Sequence, residues 1–448
     1  MTDSLCQQFA NALISKQDFS SESCTKAGLC LQDFLSCVYS TQQFPWVENA
    51  LQMALQNSAT SSGGAPILGT NHRVSVQDAA FVNAVAGHSL VRDDMHVGSV
   101  SHLGVVVIPA ALALAEQENI SGRQLLEAII CGYEAGARLG SLLMDVDTAK
   151  KIRPTGLIGA FAAAATGARL LSLDVNQTAN ALGLASNYLT GLNEWAAWGS
   201  EDMYFHPGIA VRNGLTAAQL ASLGAVTASG SLDGQAGLFA ALGKTVPEAP
   251  GLPFADGEEI LQVFFKQVPA CNYAQTAAQV ARKVMTENPL APESIEKITV
   301  QVPYAAAHYP GCDYSGPFNS ILQARMSIHF NVASALLFGD FDDEHYREYN
   351  SAAISELAGK VSIGINDELT RAYPDKQGAS ISIVTADASE IQCTLEEVIP
   401  ASPDEVTKRF LTAATIVLGA EKAKTIQPHI NDLENAPDLN SILPTLNP

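Results

Sequence analysis

From Thr155 to Ala168 the chain reads Thr-Gly-Leu-Ile-Gly-Ala-Phe-Ala-Ala-Ala-Ala-Thr-Gly-Ala, without a charged residue. Such a stretch has to be buried, and it falls short of the roughly 20 residues needed to span a bilayer. Alanine is the strongest helix former, and its small side chain lets neighbouring helices come close. Ala160 to Ala168 therefore predicts a helix at the centre of a helical domain.

The rest of the first 245 or so residues agrees with that prediction. Leu5, Phe9, Leu13 and Ile14 share one helical face. Ser75-Val-Gln-Asp78 resembles a capping box, with Asp in place of Glu, ahead of a helix carrying Ala79 to His88; Ser121-Gly-Arg-Gln124 similarly opens Leu125 to Leu139. After Pro247 the pattern changes. Glu296–Val302, Gly359–Ile365 and Ala379–Thr385 alternate like strands, around an apolar helical stretch at Ser327–Phe338. This predicts an α+β unit over roughly 260 to 395, with Asp404–Leu418 helical again and packing back on the first domain. The tail from Asn431, rich in Pro, Asn and Asp, reads as loosely ordered. Thr60-Ser-Ser-Gly-Gly-Ala-Pro66 reads as a flexible loop and not a phosphate cradle, because no Gly-Lys-Ser/Thr follows. A cleft between a helical and an α+β domain is a natural ligand site.

Charge excludes one class of partner. Lys and Arg number 25 against 46 Asp and Glu, a net charge of −21, whereas a nucleic-acid binder needs a basic footprint. No two of the eight cysteines are spaced Cys-x-x-Cys, so neither a zinc site nor a redox pair is suggested. Scattered thiols point to a reducing compartment. Met1 to Ala10 has no basic, then apolar, signal-peptide pattern. A cytoplasmic protein, not membrane-bound, is expected.

The densest chemistry lies in His88-Ser-Leu-Val-Arg-Asp-Asp-Met-His-Val-Gly-Ser-Val-Ser-His-Leu-Gly104. Three histidines, an acid pair and an arginine beside a buried apolar run are costly unless paired or used.

Several motifs, in order, resemble the MmgE/PrpD family. They are Asp78-Ala-Ala-Phe-Val-Asn-Ala-Val-Ala-Gly-His-Ser89, Asp93-Asp-Met-His-Val-Gly-Ser-Val-Ser-His102, Pro154-Thr-Gly156, Thr190-Gly-Leu-Asn-Glu-Trp-Ala-Ala-Trp-Gly199, His206-Pro-Gly208 with Asn213-Gly214, and Lys266-Gln-Val-Pro-Ala-Cys271. Members include 2-methylcitrate dehydratase, cis-aconitate decarboxylase and iminodisuccinate epimerase. The resemblance implies a mainly α protein. Its large all-helical domain would span 1–260, completed by 400–448, with a smaller α+β lid domain over 261–399, usually in a homodimer. It further implies a cofactor-independent lyase, a dehydratase or decarboxylase, acting on a small di- or tricarboxylate through an enolate-like intermediate. An isomerase or epimerase of a related acid, or a non-catalytic paralogue used for binding or dimerisation, stays open. The chain departs from the family pattern at Val91, Arg92, Met95, Arg153, Met203 and Phe330, which makes it a divergent member.

Charge build-up beside a carboxylate needs a base near neutral pKa and fixed cations, and requires neither metal nor redox cofactor. His102 is the leading acid or base, and Lys266 a carboxylate binder or proton donor. Arg92 and Arg153 could fork a carboxylate, or instead pair with Asp93, Asp94 or Glu194. Asp93 and Asp94 orient His96 or His102, or position the loop. With His96 they lack the further ligand that a metal site requires. His206 is a site residue or a helix cap, and His329 could face the cleft. Met95 and Met203 stand where the family lines its pocket with polar groups. His88 reads as a buried helical histidine, and Cys271 as a buried structural thiol.

Overall fold

The computed structural model describes residues 3–57, 64–188 and 190–448. Residues 60–63 of the glycine loop lie outside the described residues. Beyond them Ala65–Pro66 pairs with Arg73–Val74 as a short antiparallel ladder, so that end of the expected loop is a strand.

The architecture is mainly α with a smaller α+β portion. At its centre is the alanine helix, Pro154–Leu170, buried along its length except at Arg169. It packs between Asp202–Ser222, Gly122–Leu143 and Gly104–Ala115. Small residues make these approaches possible. A Cβ placed on Gly214 would sit 2.4 Å from the carbonyl oxygen of Ala160, and one on Gly132 2.1 Å from Thr166 Oγ1. Around this bundle Leu5–Ser15 buries Leu5, Phe9 and Leu13 on one face. Ser75 caps the Val76–His88 helix through the Asp78 amide, and Ser121 forms a full capping box with Gln124.

The sheet has four strands in the order Val361–Ile365, Ile295–Val302, Ala379–Thr385 and Glu390–Leu395. The first pair is parallel and the others antiparallel, with Val300 opposite Ile363 and Ile381, and Ile383 opposite Ile391. The three expected strands are present, although Gly359 closes a helix, Ala352–Gly359, and its strand starts at Val361. The fourth strand, Glu390–Leu395, is half exposed at the sheet edge. Gln275–Glu287 packs against this sheet, and Ile328–Phe338 packs against Gln275–Glu287.

Pro403–Leu418 packs along Ser21–Ser40, returning the chain to the helical bundle. The tail is not loose. Leu433, Leu439, Ile442, Leu443 and Leu446 are buried, Tyr39 donates to the Leu446 carbonyl at 2.8 Å, and the Gly122 amide to that of Ala436 at 2.9 Å. Apolar residues spaced among Pro, Asn and Asp anchor short 3-10 turns onto the bundle, which composition alone conceals. No described helix is long and apolar enough to cross a membrane.

Candidate active site

The segment between the Val76–His88 and Gly104–Ala115 helices folds back on itself. His96 and Ser101 exchange backbone hydrogen bonds at 3.0 and 3.2 Å, which turns the loop and aims His102 inward. The His102 amide donates to Thr155 Oγ1 at 3.1 Å, fastening the loop to the first turn of the Pro154–Leu170 helix. Asp94 fixes the other end. One carboxylate oxygen accepts from the Gly104 amide at 3.0 Å and the other from the buried Tyr133 hydroxyl.

Beneath His102 lies a line of buried groups whose protons can be placed from their partners. Arg153 can only donate, so its Nη2 at 2.7 Å makes His88 Nε2 an acceptor. His88 Nδ1 then carries the proton and donates to Asp93 Oδ2 at 2.9 Å. His102 Nδ1 lies 3.0 Å from the Asp94 carbonyl and 3.1 Å from the same Asp93 oxygen, so it too is protonated. His102 Nε2 is left as the lone-pair nitrogen. Burial, then the Lys266 ammonium, pull the His102 pKa below its usual 6.5, against Asp93. Burial likewise takes His88 down to about 3. Asp93 stays well below the carboxylate range: burial would raise it, but the two histidines hold it down. The result is a neutral imidazole base on an ionised aspartate.

His88 Nδ1, Asp93 and His102 Nδ1 are close enough together to be considered as metal ligands. Both nitrogens already hold protons on Asp93, and Arg153 with Lys266 would oppose a divalent cation there. This donor set suits proton transfer.

His102 and Arg153 line one narrow cleft together with Val91, Met95, Val100 and Thr155. The α+β portion contributes Cys271, Tyr273, Tyr309 and Met326. Arg153 is 4% exposed, stacks its guanidinium over Trp195 at 5.1 Å, and has an unpartnered Nε. Burial holds the Tyr309 phenol protonated, its pKa pushed up to about 12. Cys271 Sγ lies 3.8 Å from Cys312 Sγ. Burial opposes ionisation of Cys271, but the bond from Cys312 and the nearby Lys266 and Arg153 bring its pKa below the usual value.

The other residues singled out from the sequence fall in several places. Asp93 lies under His102. Met95 lines the cleft, and Met203 places its sulfur 3.1 Å from His88 Nε2. Lys266 is fully buried behind the lining, donating to the carbonyls of Val91 at 2.7 Å and Ala270 at 3.2 Å. Burial lowers its pKa. His206 sits by Arg153, its Nδ1 unpartnered, and burial takes its pKa down to about 4. Three candidates point elsewhere. His96 accepts from Ser99 and donates to Glu259 at 2.9 Å, and so works as a loop clamp. Arg92 donates to Ser36 at 3.0 Å, and His329 pairs with Asp313 at 2.8 Å. Phe330 is buried between Phe318 and Tyr346.

Sequence reasoning set His88 aside, yet the structure puts it between Arg153 and Asp93. Its place five residues before Asp93, in the same dense segment, was the available signal. Tyr309, Tyr273 and Met326 carried none, because only the tertiary fold brings them to the cleft.

A neutral imidazole hydrogen-bonded to a buried aspartate thus stands beside an arginine at the start of a central helix. The chain belongs to the MmgE/PrpD family: residues 7–248 match the MmgE/PrpD N-terminal domain and 268–435 the MmgE/PrpD C-terminal domain. It is 24% identical to a cis-aconitate decarboxylase of Aspergillus terreus, over 100% of this chain and 96% of that protein. A cis-aconitate decarboxylase-like protein of Aspergillus oryzae is 23% identical, over 96% and 94% of the two chains. The Homo sapiens cis-aconitate decarboxylase is 27% identical, over 82% of this chain and 78% of the other.

Proposed function

We propose that the protein is a lyase that removes a proton from carbon next to a carboxylate and expels a leaving group from the resulting enolate-like species. The observation that carries this reading is His102. Its Nδ1 proton is committed to Asp93 and the Asp94 carbonyl, so the free Nε2 of a neutral imidazole is the group available for reaction. A neutral imidazole takes a proton more readily than it gives one, which favours dehydration over a decarboxylation that begins with protonation. In this scheme His102 Nε2 takes the carbon-bound proton, and Arg153 holds the carboxylate as negative charge moves onto it. Tyr309 gives its proton to the departing hydroxyl, so water leaves and a carbon–carbon double bond remains. The family and its cis-aconitate decarboxylase relatives support a carboxylate substrate; a small di- or tricarboxylate is what the resemblance implies.

A second reading is epimerisation, favoured by Cys271. Its thiol lines the same cleft and could return a proton to the carbon that His102 deprotonates. Incubation of candidate acids in deuterium oxide separates the two. Loss of water with formation of an alkene supports the dehydratase. Deuterium at the α-carbon of recovered substrate, with inversion, supports the epimerase, and released carbon dioxide a decarboxylase. His102→Ala should cut turnover by about 10²-fold or more; full activity in that variant would sink both readings. Absence of turnover and of any thermal shift with every acid would favour a non-catalytic paralogue.

A homodimer in a reducing compartment completes the proposal. Leu223 and Val226, 85% and 82% exposed, offer apolar surface at the end of the Asp202–Ser222 helix, and all eight cysteines are free thiols. Light scattering should return the mass of two chains.

A further inference from the structure

Among the described residues, Arg153 is the one cationic side chain lining the cleft. It stands at the start of the Pro154–Leu170 helix, whose positive end and first-turn amides favour an anion. After its bond to His88, Arg153 keeps donor capacity in a buried Nε without a partner, and it is the arginine that lines the cleft. Neighbouring cations do not line the cleft and face other groups. Lys266 is spent on the Val91 and Ala270 carbonyls and Arg92 on Ser36, while Arg325, fully buried, binds Asp343 and the Ser89 carbonyl. A second or third carboxylate in this cleft would find no further cation in the lining, and an uncompensated buried charge is strongly unfavourable.

Of the remaining lining residues, Val91, Met95, Val100, Pro154 and Met326 are apolar, the others including Asn272 and Tyr309, and the backbone of two of the apolar ones adds independent support. Val91 and Val100 hold φ at 55° and 52°, the left-handed region. β-Branched residues are rare there because the conformation is strained for them, whereas Asn, Asp or Gly enter it more easily. Two valines kept in that conformation on the lining of one cleft mark a wall whose apolar character is used. Lys266 fastens the first of them through its carbonyl.

We propose that the ligand of this cleft is an acid with one anchored carboxylate and a hydrocarbon arm, alkyl or aryl. The carboxylate binds at Arg153 and the helix end; the arm lies on Val91, Met95 and Val100. This departs from the small polycarboxylate that the resemblance implies. It rests on the proton-abstraction reading only in making this ligand a substrate; the binding itself is independent of that reading.

Calorimetry on the full chain with 3-phenylpropanoate, hexanoate and propane-1,2,3-tricarboxylate tests the proposal without requiring turnover. At least one monoacid should bind about tenfold tighter than the tricarboxylate, a difference of about 1.4 kcal/mol. Val91→Asn suits the left-handed backbone and makes the wall polar; it should weaken the monoacid about tenfold without lowering the melting temperature. Arg153→Gln should abolish binding. If that variant does not fold, Val91→Asn decides, and unchanged monoacid affinity in it overturns the proposal. A tricarboxylate that binds as tightly as the monoacids, or no binding of either monoacid, also overturns it. Deuterium exchange reports separately on His102: a tight monoacid with no exchange would end the base assignment and leave the ligand class standing.

Discussion

Asp93 receives protons from two imidazoles on a single oxygen, and its other oxygen is buried without a partner. Its charge therefore sets how basic His102 can be. Burial and Lys266 lower the His102 pKa while Asp93 alone among the main contributors raises it. In the proposed mechanism the active form is the neutral one, so activity is lost only as pH falls through a pKa below 6.5. The acid limb of kcat/KM is expected below pH 6.5, and a limb at or above that value would contradict the assignment. Asp93→Asn removes the one raising charge but keeps the shape. It should lower kcat by about 10²-fold or more and move the acid limb to still lower pH. A merely structural role for Asp93 would reduce stability and leave the limb in place. The same residue shows what the sequence could reveal. The dense His88–Gly104 segment points to the candidate site, because so many titratable groups beside an apolar run need a use. It does not rank His88, His96 and His102. That order depends on the His96–Ser101 turn, which sends His96 to Glu259 and His102 to the cleft.

The helices around the site are held by glycine and alanine at their crossings. Gly214 on Asp202–Ser222 faces the Ala160 carbonyl, and an added Cβ would also come within 2.6 Å of Ala163 Cβ. Backbone cannot yield as a flexible side chain does, so Gly214→Ala must push the two helices apart. A loss of about 1–3 kcal/mol in unfolding free energy is expected, read from denaturant midpoints. Weakened ligand binding should accompany it, since His206 and Met203 ride on the same helix. An unchanged midpoint would mean that the crossing is looser than its geometry. This crossing was legible: the alanine run of 160–168 predicted a central, closely packed helix, and the strands at 295–302 and 379–385 announced themselves by alternation. The Glu390–Leu395 strand alternates as clearly but is half exposed and carries little apolar signal. The tail misled because its buried residues, Leu433, Leu439, Ile442, Leu443 and Leu446, are diluted by turn formers.

At the scale of the whole molecule, a net charge of −21 surrounds a cleft whose lining holds one cation among the described residues. Long-range field and local contact then act on an anionic ligand with opposite signs. Far from the surface the summed charge repels the acid, over a Debye length of about 30 Å at 0.01 M salt but only about 8 Å at 0.15 M. Inside the cleft, Arg153 attracts it at hydrogen-bond range, where buried groups are screened little. Added salt should therefore speed association and leave dissociation nearly unchanged. In stopped-flow binding of a monoacid, the association rate should rise by a factor of a few between 0.01 and 0.15 M salt, the reverse of a steered basic site. A rate that falls with salt would show that the cleft presents a positive field to approaching ligand. That would require cations beyond Arg153 to reach the mouth, and with them room for a second carboxylate.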